Sequence, residues 1–149
     1  MTEQVGEARQ VRVTVVNNDT DFLSLMKEVL ADRGWETTVI RESGSAYRLI
    51  KEHQPDVLLL DIRMETPESG WNVLELLKLD PETRDIPVVV CSAAALDVRA
   101  KEEWLHDRGI DVLVKPFEID DLYLAVEKAM LNREGEHVRT MDGKVSGST

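Results

Sequence analysis

Three apolar runs of this chain each end in a polar residue of a different chemical kind. Asp61 follows VLLL, Ser92 follows VVVC, and Lys115 follows VLV. Each run is short and aliphatic, and a segment with apolar residues at helical spacing follows it, which is typical of an alternating strand–helix chain. Because the carboxyl ends of parallel strands meet at one edge of a sheet, we expect an acid, a hydroxyl and an ammonium group to share one pocket.

The same alternation extends over most of the chain. Strands are predicted at 11–16, 36–40, 56–60, 86–91 and 110–114. Helices are predicted from Asp19 or Thr20 with Gly34 as the stop, from Ser43 to before Pro55, across Trp71 to Leu77, over 97–108, and from Glu118 to about Leu131. Five such units joined by short links predict the α/β class, with a doubly wound five-stranded parallel sheet and helices on both faces.

The ends of the chain differ from its middle. Residues 1–10 are polar and without a periodic apolar pattern, and residues 133–149 are polar, contain glycine and serine, and offer no core face. We therefore expect a flexible N-terminus, one domain over 11–132, and a flexible C-terminal tail. No output domain is expected after Leu131, because too little chain follows for a DNA-binding or catalytic unit.

Composition excludes several classes of function. A net charge of −11 argues against binding to nucleic acid, which requires a basic surface. No apolar run is long enough to cross a membrane and no leader pattern opens the chain, so a soluble cytoplasmic protein is expected. Cys91, the one cysteine, lies inside an apolar run, which favours a buried structural thiol over a reactive one. With three scattered histidines, a zinc site is not expected.

Four motifs occur in order and at matching intervals: VVNNDTDF, LLLDIRM, VVVCSA and LVKPF. Together they resemble the receiver domain of two-component response regulators, and the resemblance covers about residues 11–131. Each motif alone is weak, but four in register on five strand–helix units are specific. The resemblance implies the flavodoxin-like (βα)5 receiver fold.

The resemblance also implies a role for each residue at the sheet edge. Asp61 matches the phosphoacceptor, whose carboxylate attacks a phosphohistidine or a small phosphodonor. Lys115 matches the lysine that pairs with this acid and then with the phosphoryl oxygens. Ser92 matches the hydroxyl that binds a phosphoryl oxygen, and Pro116 implies a tight, cis link after the lysine.

The family's metal site is where this chain departs from the pattern. Receivers carry two acids after the first strand, which hold a divalent ion with the phosphoacceptor, whereas this chain has Asn17 and Asn18. By resemblance the ligands of Mg²⁺ would be Asn18, Asp61 and the backbone carbonyl of Arg63, with Asn17 and Asp19 as weaker candidates. Amide oxygens carry no charge, so the expected Mg²⁺ site is weak or absent.

Two nearby acids offer compensation. Asp19 follows the asparagine pair, and Glu65 lies in the loop after Asp61; either could reach the ion through water. The more ordinary interpretation is that Asp19 caps the first helix and that Glu65 is a solvated loop residue.

A second departure concerns the switch that reads phosphorylation. The family often has an aromatic residue three positions before the lysine, where this chain has Val112. A relay from Ser92 to an aromatic ring is therefore not expected. Trp104, on the fourth predicted helix, is a candidate contact residue for a partner, with half-buried packing as the equal alternative.

Three functional hypotheses follow. The first is a stand-alone receiver, not an enzyme, phosphorylated on Asp61 by a sensor histidine kinase or phosphotransfer protein. It would signal through a face built from the fourth helix, fifth strand and fifth helix, with a homodimer left open. The second is a pseudo-receiver that binds proteins without phosphorylation. The third, a small enzyme or nucleotide-binding protein, is disfavoured because the first strand–helix turn lacks glycine.

Overall fold

Strands and helices alternate along residues 10–66, 68–93 and 95–142, the part of the chain that the computed structural model describes. In chain order the elements are β1 (Arg12–Val16), α1 (Thr20–Ala31), β2 (Glu36–Ile40), α2 (Ser43–His53), β3 (Val57–Asp61), α3 (Ser69–Leu79), β4 (Val88–Ser92), α4 (Ala95–Ala100), α5 (Glu102–Asp107), β5 (Asp111–Val114) and α6 (Ile119–Asp142). The five strands are parallel and lie in the order β2-β1-β3-β4-β5, which confirms the predicted doubly wound sheet.

Alternate side chains of the strands supply two cores, one on each face of the sheet. On the first face, α2, α3, α4 and α5 cover Val16, Leu60 and Val90. On the second face, α1 and α6 cover Val15 and Leu59. β3 is buried along its whole length, as its apolar run predicted, because helices lie on both of its faces.

The start of α1 is fixed by a side-chain cap. The Asp19 carboxylate accepts hydrogen bonds from the backbone N–H groups of Asp21 (3.0 Å) and Phe22 (3.3 Å). These bonds satisfy two N–H groups that the first turn of a helix leaves without an intrahelical partner. Beyond the end of α1, Gly34 has a φ of 76°, a left-handed conformation that glycine adopts without strain. The start of α1 agrees with the sequence prediction, whereas the helix ends at Ala31, three residues before the predicted stop at Gly34.

The fourth predicted helix, over 97–108, is instead two short helices, α4 and α5. They are separated at Lys101, whose backbone N–H donates to the Val98 carbonyl three residues earlier, at 3.0 Å. Such a bond tightens the turn and interrupts the regular four-residue pattern of an α-helix. Val98 and Leu105 are nevertheless both buried, so each short helix anchors one apolar side chain in the core.

The end of the last helix was also predicted wrongly. α6 does not stop near Leu131 but continues to Asp142, so the first part of the segment predicted as a flexible tail, 133–149, is helical. Residues 133–142 lack proline, and their one glycine, Gly135, costs a helix only about 1 kcal/mol, which is too little to end it. Residues 1–9 and 143–149 lie outside the described residues, so the division into a domain with two flexible ends stays a prediction.

None of the helices within residues 10–66, 68–93 and 95–142 combines the length and the apolar content that a membrane span requires.

A polar cluster joins α2 to the residue that follows α3. Asp80 accepts hydrogen bonds from the Tyr47 hydroxyl and from the backbone N–H of Glu82, and the Lys51 ammonium lies 2.9 Å from its carboxylate. These donors favour the ionised form, and they lower the pKa of Asp80 to about 2, with the Tyr47 hydroxyl as the largest cause. The charged carboxylate therefore holds the ends of two helices together.

Asp80→Asn is expected to lower stability at neutral pH, with a deficit that narrows as the solution becomes acidic. An acid whose folded pKa is depressed stabilises the fold above its usual pKa of 3.8, and that contribution disappears as pH falls to about 2. Urea midpoints of wild type and variant, compared from pH 7 down to this window, measure the effect. Glu82→Gln, at an exposed carboxylate 3.8 Å from Lys51, is the control and should change little. A deficit independent of pH would contradict this account.

Candidate functional site

The carboxyl ends of four strands converge at one edge of the sheet. Asp61 is the last residue of β3 and Ser92 the last of β4, while Asn17 and Lys115 directly follow β1 and β5. Ser92 is fully buried, and its carbonyl accepts a hydrogen bond of 2.8 Å from the Lys115 backbone N–H. The peptide bond between Lys115 and Pro116 is cis, as expected. β1 and β3 are neighbours at the point where the strand order reverses, which is where such sheets bind ligands.

Asp61 is buried and paired. The residue is 8% exposed, and its carboxylate lies 3.5 Å from the Lys115 ammonium and accepts a hydrogen bond of 3.1 Å from the backbone N–H of Arg63. Burial raises the pKa of Asp61, because it penalises the charged form by more than Lys115 and the N–H group favour it. Asp61 is thus a partly desolvated anion beside one cation. Arg63 and Lys115 each contact one of its two carboxylate oxygens.

The asparagine pair divides into a buried and an exposed residue. Asn17 is 1% exposed, and its amide oxygen accepts a hydrogen bond of 2.8 Å from the Asp19 backbone N–H, as in an Asx turn. Its amide nitrogen is buried and has no hydrogen-bond partner. Asn18 is exposed. The Asp19 carboxylate is held by the first turn of α1, as the capping interpretation predicted.

The donors at this edge fit Mg²⁺ poorly. Of the predicted ligands, Asp61 is the one buried carboxylate, and Lys115 already neutralises it. The Asn17 oxygen is engaged by Asp19, and the nitrogen beside it would repel a cation. Within the described part of the chain, no three side chains of His, Cys, Asp or Glu form a group that could hold a metal ion. Mg²⁺ prefers charged oxygens in near-octahedral geometry, which this arrangement does not offer.

Glu65 is engaged elsewhere. Its carboxylate accepts hydrogen bonds from the hydroxyl of Ser43 at 2.7 Å and from the Ser43 backbone N–H at 3.2 Å. The Ser43 hydroxyl is the main reason that the pKa of Glu65 is lowered. The carboxylate therefore stabilises the N-terminus of α2, where negative charge is favourable. It is not merely solvated, and its hydrogen bonds do not direct it to the place of the two acids that Asn17 and Asn18 replace.

Two residues of the site were missed in the sequence. Gly70 donates its N–H to the Ile62 carbonyl at 2.8 Å, and a Cβ at this position would lie 2.4 Å from backbone atoms of Asp61 and Ile62. The Phe22 ring lies 4.3 Å from the Lys115 ammonium, a cation–π distance. The glycine at the start of α3 was a usable signal, whereas the ring contact depends on how α1 packs beside the segment that follows β5.

Val112, Trp104 and Cys91, which were considered for the switch, for partner contact and for thiol chemistry, are all packed against other side chains. Val112 is partly buried against the core. Trp104 packs edge-to-face on Trp71, with ring centres 6.5 Å apart, and the Arg108 guanidinium lies 4.1 Å from its centre. This favours the packing interpretation of Trp104. Cys91 is buried, and burial raises its pKa to about 12, so the thiol is structural, as predicted.

Comparison with known proteins agrees with the motif pattern. The response regulator receiver domain family model matches residues 13–127. The transcriptional regulatory protein PrrA of Mycobacterium tuberculosis is 35% identical over 124 residues, which are 83% of this chain and 51% of PrrA. The polar-differentiation response regulator DivK of Brucella abortus is 33% identical over 109 residues, 72% of this chain and 85% of DivK. This chain therefore spans about half the length of PrrA and most of DivK.

Solved structures share the fold. The receiver domain of the sensor histidine kinase PA1611 from Pseudomonas aeruginosa, described with a magnesium ion coordinated in its active site cleft, superposes with a TM-score of 0.70. The match covers 82% of this chain and 98% of that domain, at 20% sequence identity. At this identity the likeness concerns the fold, and it agrees with the flavodoxin-like arrangement predicted from the sequence.

Proposed function

This chain belongs to the response regulator receiver domain family, and from that premise we propose that it accepts a phosphoryl group on Asp61. The donor is a histidine kinase or a phosphotransfer protein, and the signal is passed on by contact with another protein. The observation that carries this proposal is the buried Asp61 carboxylate with the Lys115 ammonium 3.5 Å away, at the carboxyl ends of two parallel strands, β3 and β5, that flank β4.

The chemistry proposed for Asp61 is a phosphoryl transfer without a resident cofactor. A carboxylate oxygen attacks phosphorus while the phosphorus–nitrogen bond of the donor phosphohistidine breaks, and the leaving imidazole nitrogen takes up a proton from solvent. The product is an acyl phosphate. Lys115 then pairs with the phosphoryl oxygens, and the Ser92 hydroxyl binds one of them. Apart from acceptance and loss of this group, no catalysis is proposed.

The output surface proposed here comprises α4, α5, β5 and α6. Five of the described apolar side chains on these elements are exposed: Leu96 on α4, Val114 on β5, and Ile119, Leu124 and Leu131 on α6. Such residues are typical of a surface that binds another protein. α4 follows Ser92 after a short loop, and Lys115 lies between β5 and α6, so a change at the pocket is transmitted to this face through short backbone connections.

A second candidate is a protein-binding module that works without phosphorylation. It is favoured by the poor fit of the site to Mg²⁺ and by the Asp61–Lys115 ion pair, which leaves the pocket electrically satisfied. A related solved domain carries magnesium in its active site cleft, whereas this chain replaces the two acids of the family's pattern with amides. Under this alternative the same face binds its partner in one fixed conformation.

Intact mass after incubation with phosphoramidate or acetyl phosphate separates the two candidates. Wild type is expected to gain the mass of one phosphoryl group, and Asp61→Asn is expected to gain none, because an amide is not a nucleophile for phosphorus. Circular dichroism confirms that both proteins are folded. A folded wild-type chain that takes up no phosphoryl group, with or without Mg²⁺, would refute the phosphoacceptor role and favour the binding module.

A further inference from the structure

The buried side chain of Asn17 carries a donor that nothing satisfies. Its amide nitrogen has no hydrogen-bond partner although the residue is 1% exposed. Leaving a buried donor without an acceptor costs about 1–3 kcal/mol, and native structures contain few such groups without a functional reason. The Asp19 backbone N–H donates to the amide oxygen of Asn17 at 2.8 Å. Exchanging the oxygen and nitrogen positions of this amide would place its N–H₂ group against the Asp19 N–H, so that two donors would face each other.

Asn17 lies in register with the proposed phosphoacceptor on the neighbouring strand. β1 and β3 pair in parallel with Val16 opposite Leu60, so Asn17 and Asp61 are the next residues in the same register. In a parallel pair, residues in register project from the same face of the sheet and are neighbours. Asn17 at the end of β1 and Lys115 at the end of β5 thus lie on the two sides of Asp61, with β4 between β3 and β5.

The charges of the pocket balance without a metal. In the family's pattern two acids join the phosphoacceptor against one lysine, and a divalent cation supplies the missing positive charge. Here Asp61 and Lys115 are one anion and one cation, and the amide of Asn17 adds a donor but no charge. The incoming phosphoryl group is an anion, and a preorganised N–H donor stabilises its negative oxygens directly.

We infer, building on the proposed phosphoacceptor role of Asp61, that the Asn17 amide donates a hydrogen bond to the incoming phosphoryl group and that the site takes this group without a divalent cation. The poor fit of the pocket to Mg²⁺ then does not prevent phosphorylation, because the reaction does not use the ion. Asn17 supplies the donor, and Lys115 supplies the charge.

The test compares phosphorylation rates in EDTA and in Mg²⁺, using phosphoramidate and intact mass. Wild type is expected to react at rates within about twofold in the two conditions. Asn17→Asp has nearly the same shape and keeps an oxygen for the Asp19 N–H, but it replaces the donor with a negative charge. In EDTA the phosphorylation rate of this variant should be about 100-fold lower than that of wild type, which is the effect of removing one such donor. In Mg²⁺ its rate should recover. A loss of fold would not be restored by the metal.

Asn72→Asp is the matched control, because it makes the same chemical change at an exposed position of α3, outside the pocket. Its rate in EDTA should stay within about threefold of wild type, as expected for a charge in water. A wild-type reaction that requires Mg²⁺ would overturn the inference and leave the phosphoacceptor role intact. No adduct in either condition would refute both. Equal rates of Asn17→Asp and wild type in EDTA would also overturn it.

A second readout does not depend on turnover. Beryllofluoride attaches to a carboxylate as a mimic of the phosphoryl group, and its addition in EDTA should shift the side-chain N–H₂ resonances of Asn17 in a ¹⁵N-labelled sample. The backbone resonance of Asn72, which is exposed on α3, should move little. Binding of beryllofluoride at Asp61 with unchanged Asn17 side-chain resonances would contradict the proposed hydrogen bond.

Discussion

Gly70→Ala is expected to lower the free energy of unfolding by about 3 kcal/mol, the upper range for forcing an extra methyl group into a packed site. The reason is geometric. A Cβ at this position would lie 2.4 Å from the Asp61 carbonyl oxygen and from two backbone atoms of Ile62, and backbone cannot move aside as a flexible side chain can. Either α3 shifts outward or the loop after β3 is displaced, and both changes move Asp61.

Urea denaturation followed by circular dichroism measures this loss. Gly44→Ala is the matched control, because Gly44 lies in α2 and an added Cβ there meets no atom within 4 Å. A helical glycine exchanged for alanine in open space should leave stability unchanged or raise it by about 0.5–1 kcal/mol. If the two variants unfold at the same urea concentration, the close packing of α3 against the Asp61 loop is wrong.

The double variant Asn17→Asp with Asn18→Asp is expected to bind Mg²⁺ at least about 100-fold more tightly than wild type. One carboxylate about 4 Å from a divalent ion gains several kcal/mol even at an effective dielectric near 20, before desolvation is subtracted. Two added acids beside Asp61 would create the cluster of charged oxygens that the ion prefers. Without metal, the added carboxylates make the pocket net negative and repel Asp61, so the metal-free variant should also be less stable than wild type.

Isothermal titration calorimetry with MgCl₂ measures the affinity. Asn72→Asp, the same exchange at an exposed position of α3, is the control and should bind no better than wild type. Should the double variant bind Mg²⁺ as weakly as the wild-type chain, the asparagine pair would not be what weakens the site.

Much of the fold and part of the site followed from local patterns. The apolar run before Asp61 predicted a strand buried on both faces, and β3 is buried throughout. The polar residues at the ends of three runs predicted a shared pocket, and the structure brings Lys115 to 3.5 Å from Asp61. Both predictions needed only strand length, side-chain alternation and the rule that parallel strands end at one edge.

What the sequence did not reveal depends on contacts between distant segments. The engagement of Glu65 by Ser43 and the Phe22 ring beside Lys115 require helix positions that no local pattern specifies. The extension of α6 to Asp142 was missed because a polar segment with a glycine looks the same in a helix and in a tail. The unsatisfied amide of Asn17 appears only when the partners of each buried polar atom are known.

The most direct test of the central claim is to locate the phosphoryl group by chemical trapping. Sodium borohydride reduces an acyl phosphate to a primary alcohol, so a phosphorylated aspartate is converted to homoserine, which peptide mass spectrometry identifies at its position. After incubation with phosphoramidate, we predict homoserine at position 61 and unmodified residues at Asp19 and Asp56. An unmodified Asp61 in a folded protein, or homoserine at another aspartate, would contradict the account.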